Sequence, residues 1–308
     1  MKFGLHTGPQ NCTFDELRRL WDMADESGLW WASVWDHFYP AQTAAEGDCF
    51  EAVATHAALA AHTSNVRVGC LVYCAAYRNP AILANVAATL DHLSGGRAEL
   101  GLGAGWSEEE FRAYGIPFER PGVRLEQLDE AATIVKGLLG NERTTFEGSH
   151  FSVTDAMCNP KMVQPDPRLW IGVMGERALR IAAEHADGWN VPFLDPDTWG
   201  ARNRLLSEHA ETAGRDPGAI MRSVNVGLAI APTEDEAAAK RSRLDEQFGP
   251  AADFIAMGTL LGTPAQAVDR IGEYQEAGAD LVVVALRAPF DVEGFALFLD
   301  EVVPAFSS

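Results

Sequence analysis

The sequence has few positive charges for its length. It contains 24 Lys and Arg against 44 Asp and Glu among 308 residues, which gives a formal net charge of -20. The average field of such a chain repels phosphate, so we expect neither nucleic acid nor an anionic membrane surface as a partner. An anionic ligand would therefore need local donors on the protein.

Cysteine pairs and long apolar runs are also missing. The five cysteines include no CxxC pair, which fits a reducing compartment and gives no zinc signature. No apolar run reaches the roughly 18 residues that a membrane span needs, and the N-terminal MKFGLHTGP lacks the apolar stretch of a signal peptide. We therefore expect a cytoplasmic protein.

Because Thr7 and Gly8 follow His6, the first strand also lacks the HxH pattern of barrel metallohydrolases, and we expect no metal site.

Short β-type runs alternate with helical patterns along the chain. The runs are apolar on both sides, as parallel strands buried on both faces are. They cover residues 2–6, 30–36, 66–72, 98–105, 169–173, 188–193, 224–230 and 280–286. Eight such runs predict a (β/α)₈ TIM barrel made by one domain over residues 1–308. A doubly wound parallel sheet is the alternative.

Two connections are too long for simple crossovers. Residues 106–168 follow the fourth run and residues 231–279 follow the seventh. Long excursions after barrel strands usually stand over the active face, so we expect these insertions to form the walls or lid of a pocket.

Asp36 and His37 follow an apolar run at the place where the second strand should end. The carboxyl ends of barrel strands meet at the active face, so both side chains are candidate catalytic residues. We expect His37 to exchange a proton with the substrate and Asp36 to orient the site. The alternative is that His37 caps the next turn and Asp36 forms a structural ion pair.

Three glycines alternate at the end of the fourth run, in LGLGAGW. Gly101, Gly103 and Gly105 remove side chains from one face, which leaves room for a flat ligand or for tight barrel packing. The pattern is not the dinucleotide fingerprint, which needs GxGxxG after a first strand.

The sequence VMGER follows the fifth run and opens a helix. Gly175 precedes that helix, whose first amides could hold an anion, with Arg177 and Arg180 nearby. The alternative is that the arginines only solvate the helix surface.

Taken together, these segments resemble the bacterial luciferase-like superfamily, and within it the branch that uses the deazaflavin coenzyme F420. The matching segments are WDHF (35–38), VGCLVYCAAYRNPAILAN (68–85), TLDHLSGGRAELGLGAGW (89–106), EEEFRAYGIPF (108–118) and ADGWN (186–190). The resemblance implies a (β/α)₈ barrel with the ring at the carboxyl ends of the strands. It also implies a non-prolyl cis peptide within Cys70 to Val72, at Leu71-Val72, behind the ring.

The resemblance also suggests site residues. Cofactor contacts are expected from Asp36, Cys70, Leu71, Val72, Gly103, Ala104, Gly105, Met174, Gly175, Glu176 and Arg177. The substrate pocket is expected to contain His6, Trp106 and Glu110.

The cofactor prediction depends on few residues. Deazaflavin users of the superfamily typically have Asp-His-Phe where users of flavin mononucleotide (FMN) often have Glu-His-His, and this chain has Asp36, His37 and Phe38. We therefore expect an F420-dependent oxidoreductase that moves a hydride to or from a small organic substrate. The alternatives are an FMN-dependent monooxygenase and a non-catalytic flavin-binding protein of the same fold.

Two departures from the family bear on the substrate. The sugar-phosphate dehydrogenases of the F420 branch have a Trp and a Glu at the places of Ala41 and Trp106, so we do not expect glucose 6-phosphate oxidation. Relatives are commonly dimers, which predicts a homodimer.

Overall fold

Eight parallel strands close into a barrel in the computed structural model, which describes residues 1–41, 47–249 and 252–306. In order around the barrel they are β1 (Lys2–Thr7), β2 (Trp31–Val34), β3 (Arg67–Cys74), β4 (Ala98–Gly103), β7 (Leu169–Gly172), β8 (Gly188–Pro192), β9 (Met221–Ile230) and β11 (Leu281–Leu286). Pairing of β11 with β1 and of β8 with β9 closes the ring. The barrel prediction is confirmed, and the doubly wound sheet is wrong because such a sheet would have open edges.

Helices surround this barrel. They are α1 (Phe14–Glu26), α2 (Ala52–His62), α3 (Pro80–Ser94), α4 (Glu108–Ala113), α5 (Pro121–Gly140), α6 (Glu176–His185), α7 (Pro196–Thr212), α8 (Glu234–Phe248), α9 (Ala252–Met257), α10 (Pro264–Glu276) and α11 (Val292–Leu297). Within the described ranges, no helix combines the length and the apolar character needed to cross a membrane.

The two long connections contain structure of their own. The first holds α4, α5 and an antiparallel hairpin of β5 (Thr144–Glu147) and β6 (Ser152–Ala156). The second holds α8, α9 and a further strand, β10 (Thr259–Gly262), which pairs in parallel with the second half of β9. The sequence did not predict β10, because a short apolar run can belong to a strand or to a buried helix with equal ease.

The amino end of the barrel is closed by aromatic side chains. The rings of Trp31 and Trp170 are fully buried, with centroids 4.7 Å apart. The indole of Trp170 donates a 2.6 Å hydrogen bond to the buried carboxylate of Glu99, which also pairs with Arg67. Among the described residues, these side chains fill the amino end of the barrel interior, so the carboxyl ends of the strands are the face to search for a ligand site.

Candidate active site

A cavity of about 360 Å³ lies at the carboxyl ends of the strands. This volume falls within the ~300–1,000 Å³ that is usual for small-molecule and cofactor sites. Ten of the predicted site residues line it: His6, Asp36, His37, Leu71, Val72, Gly103, Ala104, Gly105, Trp106 and Met174. These residues come from distant parts of the chain and meet because their strands end at the same face.

A larger cavity of about 780 Å³ lies beside it, between α8 and α11. The two cavities share Ala285 and Arg287 in their walls. The described wall of the larger cavity contains none of the predicted site residues, so the smaller cavity is the better candidate for the chemistry.

One wall of the smaller cavity is an irregularity in β3. The Leu71-Val72 peptide bond is cis, as the family resemblance implied. The pairing of β3 with β4 shifts register between Cys70 and Tyr73, so the strand bulges there. Leu71 and Val72 consequently face the cavity. Cys70, a predicted cofactor contact, does not line it, because its side chain is fully buried in the core of the fold.

The glycines at the end of β4 accommodate this bulge. A Cβ atom on Gly103 would lie 2.5 Å from Cγ2 of Val72, and one on Gly101 would lie 2.5 Å from the backbone oxygen of Cys70. A Cβ atom on Gly105 would lie 2.6 Å from Sγ of Cys74. Tight packing therefore requires glycine at all three positions, and Gly103 and Gly105 also line the cavity.

Asp36 is held by groups from the loop after β3. Its carboxylate accepts two hydrogen bonds from Arg78, at 2.6 and 3.0 Å, and a third from the backbone amide of Cys74 at 2.9 Å. Burial raises the pKa of the Asp36 carboxyl, and the Arg78 contacts oppose that rise. Arg78 also contacts Glu51. Both carboxylate oxygens therefore bind protein groups. Asp36 thus forms a structural ion pair, which was the alternative to a catalytic role for this residue.

His37 is held by Glu110, which lies on α4. Nδ1 of the imidazole is 2.7 Å from Oε2 of Glu110, and the side chain of His37 is 15% exposed. Glu110 was predicted to line the substrate pocket. Its carboxylate instead lies behind His37, 2% exposed, and is not part of the described cavity lining. The bond to Nδ1 leaves Nε2 of His37 available to a ligand in the cavity.

His6 extends from the end of β1 into the same cavity. Its Nδ1 is 2.8 Å from the hydroxyl of Ser33. Burial, together with the positive charge of Arg287 and the nearby His37, lowers the pKa of His6 to about 3. Its imidazole is thus neutral near pH 7 and can only act as a neutral hydrogen-bonding group there.

The mouth of the cavity is mostly apolar. Trp106 and Met174 line it and are 57% and 40% exposed. Ala41 also lines it, at the place where sugar-phosphate dehydrogenases of the F420 branch have a tryptophan.

The predicted anion site lies outside the described lining of this cavity. Gly175 precedes α6 without a side-chain cap, so the first amides of the helix have no side-chain acceptor at that position. Arg177 is 67% exposed and lies 3.6 Å from Glu126. Met174 and Ala178, on either side of this turn, do line the cavity. The turn is therefore placed where a long ligand could leave the cavity.

Several residues at the site were not predicted. Asn190 and Asn225 both line the cavity and share a 2.9 Å hydrogen bond. Arg287 follows β11 and lies over the rings of Trp35 and Phe193, and burial lowers its pKa to about 10. Arg287 stands just after the end of β11, which is the signal that could have found it, whereas Asn190 lies in the middle of β8.

Known proteins of similar sequence and fold indicate the family to which this chain belongs. A sequence profile of the luciferase-like monooxygenase family matches residues 1–281. The chain belongs to this family. This luciferase-like protein is 32% identical to an F420-dependent glucose-6-phosphate dehydrogenase of Kineococcus radiotolerans. The 235 aligned residues cover 75% of this chain and 68% of the relative.

A further relative and a solved structure of the same fold agree with this result. A 5,10-methylenetetrahydromethanopterin reductase of Methanolobus tindarius is 26% identical over 309 residues, which span 100% of this chain and 86% of the relative. The structure of an F420-dependent secondary alcohol dehydrogenase in complex with an F420-acetone adduct shares the fold, with a TM-score of 0.86, 22% identity and coverage of 99% and 98%. The resemblance stated from the sequence is confirmed.

Proposed function

We propose that this luciferase-like protein is an F420-dependent oxidoreductase that transfers a hydride between the deazaflavin and a small organic substrate. The observation that carries the proposal is a single cavity that contains both the Leu71-Val72 bulge and an imidazole held by a carboxylate. The relatives with F420 in their names support the same cofactor.

The residues of the cavity fit this cofactor. Leu71, Val72 and Ala104 would contact the ring, and the first amides of α6 together with Arg177 would hold the anionic tail. A local anion site is needed because the net charge of -20 disfavours anions elsewhere. When bound, F420 supplies a two-electron hydride carrier that reacts poorly with oxygen.

His37 and Asp36 have different roles in this proposal. His37 exchanges a proton with the substrate through Nε2, because Nδ1 is bonded to Glu110. Asp36 ties the end of β2 to the loop after β3 through Arg78 and Cys74. It therefore fixes the wall of the cavity without touching the reacting atoms.

A second candidate function is an FMN-dependent monooxygenase. The description of the matching family as luciferase-like monooxygenase favours it. The two candidates differ in the cofactor that the cavity accepts, so cofactor binding separates them.

Titration of the purified apoprotein with F420 and with FMN tests the cofactor. We expect F420 to bind at least ~10-fold more tightly than FMN, a difference of about 1.4 kcal/mol. Tighter binding of FMN would replace the first candidate by the second.

Single-turnover oxidation of reduced F420 tests the role of His37. The acceptor is the best substrate from a panel of small ketones, imines and activated alkenes. We expect His37→Gln to slow the reaction ~10²–10⁴-fold with little change in F420 affinity, because general acid–base catalysis contributes about that much. His62→Gln, at an exposed histidine paired with Asp22, is the matched control. An unchanged rate and pH profile in His37→Gln would exclude the proton-transfer role.

We also propose that residues 1–308 form one domain that works as a cytoplasmic homodimer. The outer face of α3 supports the dimer. Ile82 and Leu93 on this helix are 62% and 48% exposed, although both are large and apolar. Leu83, the next residue, is by contrast buried in the core.

A further inference from the structure

The carboxylate of Glu110 binds four donors, and each oxygen has its own pair. Oε1 accepts hydrogen bonds from the backbone amides of Phe38 and Tyr39, at 2.6 and 2.9 Å. Oε2 accepts one from the hydroxyl of Tyr77 at 3.1 Å and lies 2.7 Å from Nδ1 of His37. The two amides belong to the chain directly after His37, so Glu110 holds both the imidazole and its backbone.

Glu110 carries no proton at physiological pH. Burial raises its pKa, but the hydrogen bonds from His37 and from the amides of Tyr39 and Phe38 outweigh burial and lower the pKa to about 2. An ionised carboxylate can only accept hydrogen bonds. At 2.7 Å from this carboxylate, Nδ1 of His37 must therefore carry a hydrogen.

We propose that Glu110 sets the tautomer of His37. With the hydrogen on Nδ1, the neutral imidazole presents the lone pair of Nε2 to the cavity, so that Nε2 is the atom through which protons enter and leave the substrate. Glu110 acts through His37 and is a positioning residue. The effect on catalysis rests on the proposed proton-transfer function of His37. The assignment of the tautomer does not depend on that function.

Replacement of Glu110 by glutamine should reverse the tautomer. The amides of Phe38 and Tyr39 need an acceptor, so the carbonyl oxygen of the glutamine takes the position of Oε1. The NH₂ group then takes the position of Oε2 and faces Nδ1 of His37. Because an NH₂ group can only donate, Nδ1 becomes the acceptor and the hydrogen moves to Nε2. The variant would thus present a donor to the cavity in place of a lone pair, with almost no change in shape.

Nitrogen NMR of the protein with isotope-labelled histidine tests the proposal directly. His37 is assigned from the signals that disappear in His37→Gln, and spectra are taken at a pH where its imidazole is neutral. We expect Nδ1 to be the protonated nitrogen in the parent and Nε2 to be the protonated nitrogen in Glu110→Gln. A parent with the hydrogen on Nε2, or an unchanged tautomer in folded Glu110→Gln, would overturn the proposal.

Two further variants act as controls. Glu109→Gln changes the exposed neighbour on the same helix and should leave the His37 tautomer unchanged. Tyr77→Phe removes the hydroxyl at Oε2 but keeps the carboxylate, so Nδ1 should stay protonated. If Glu110→Gln does not fold, the parent and Tyr77→Phe spectra still decide the proposal, because both must show the hydrogen on Nδ1.

The rate of hydride transfer separates this proposal from the proposed function. We expect Glu110→Gln to lower the single-turnover rate ~10²-fold while F420 affinity stays within about 3-fold. If Glu110→Gln reverses the tautomer but leaves the rate unchanged, Glu110 does set the tautomer, and proton transfer by His37 is excluded. An unreversed tautomer would exclude tautomer control whatever the rate.

Discussion

At the scale of single residues, the pair of Asp36 and Arg78 carries a prediction about stability. The side chain of Asp36 is fully buried and that of Arg78 is 17% exposed, so removal of either charge leaves the other buried charge without its main partner. We expect Asp36→Asn and Arg78→Gln each to lower the free energy of unfolding by about 3–5 kcal/mol. Because the two side chains share one interaction, the double variant should lose less than the sum.

Urea unfolding of the three variants measures this coupling. Asp15→Asn is the matched control, because Asp15 also pairs with an arginine but is 91% exposed, and we expect a change within ~0.5 kcal/mol. Full stability of Asp36→Asn together with lost F420 affinity would instead make Asp36 a direct cofactor contact.

Among the elements, β4 packs closely against the bulge of β3 at Gly103, which has no side chain. A Cβ atom there would lie 2.5 Å from Cγ2 of Val72, so Gly103→Ala must displace the Val72 side chain, which lines the cavity. We expect F420 to bind about 10-fold more weakly to Gly103→Ala, a loss of about 1.4 kcal/mol. The double variant Gly103→Ala/Val72→Ala should bind more tightly than Gly103→Ala, because the smaller side chain makes room for the added methyl group.

Gly140→Ala is the control for the added methyl group itself. Apart from its chain neighbours and its own helix, no atom of the described residues lies within 4 Å of a Cβ built on Gly140, so this change should leave F420 affinity unchanged. Equal affinity of Gly103→Ala and the parent would mean that the bulge does not touch the cofactor.

At the scale of the whole molecule, the exposed face of α3 predicts the oligomeric state. Ile82 and Leu93 expose two large apolar side chains on one side of this helix, and a charge placed in an apolar interface opposes association. We expect the parent to be a dimer by light scattering and Ile82→Glu or Leu93→Glu to shift it to the monomer. Ala238→Glu, at an exposed residue of α8, should remain dimeric. A monomeric parent would exclude the homodimer.

Local patterns in the sequence are enough to predict the barrel and the place of its active face. Eight apolar runs separated by helical patterns are local signals, since periodicity and helix caps depend on neighbouring residues alone. The capping box of Thr13 and Glu16 begins α1, and Asn79 followed by Pro80 begins α3, and both are patterns of neighbouring residues. Because parallel strands end at one face, the sequence also brought His6, Asp36, His37 and Trp106 to a common cavity.

The groups that hold these side chains depend instead on contacts between distant parts of the chain. Asp36 and Arg78 are 42 residues apart, and His37 and Glu110 are 73 apart. Such pairs depend on strand register and on the direction in which α4 leaves the barrel, which no local pattern contains. The same holds for Gly103, whose missing side chain has a meaning only once Val72 of the neighbouring strand lies against it. The sequence therefore identified the imidazole, and the packing of distant elements decided which of its nitrogen atoms faces the cavity.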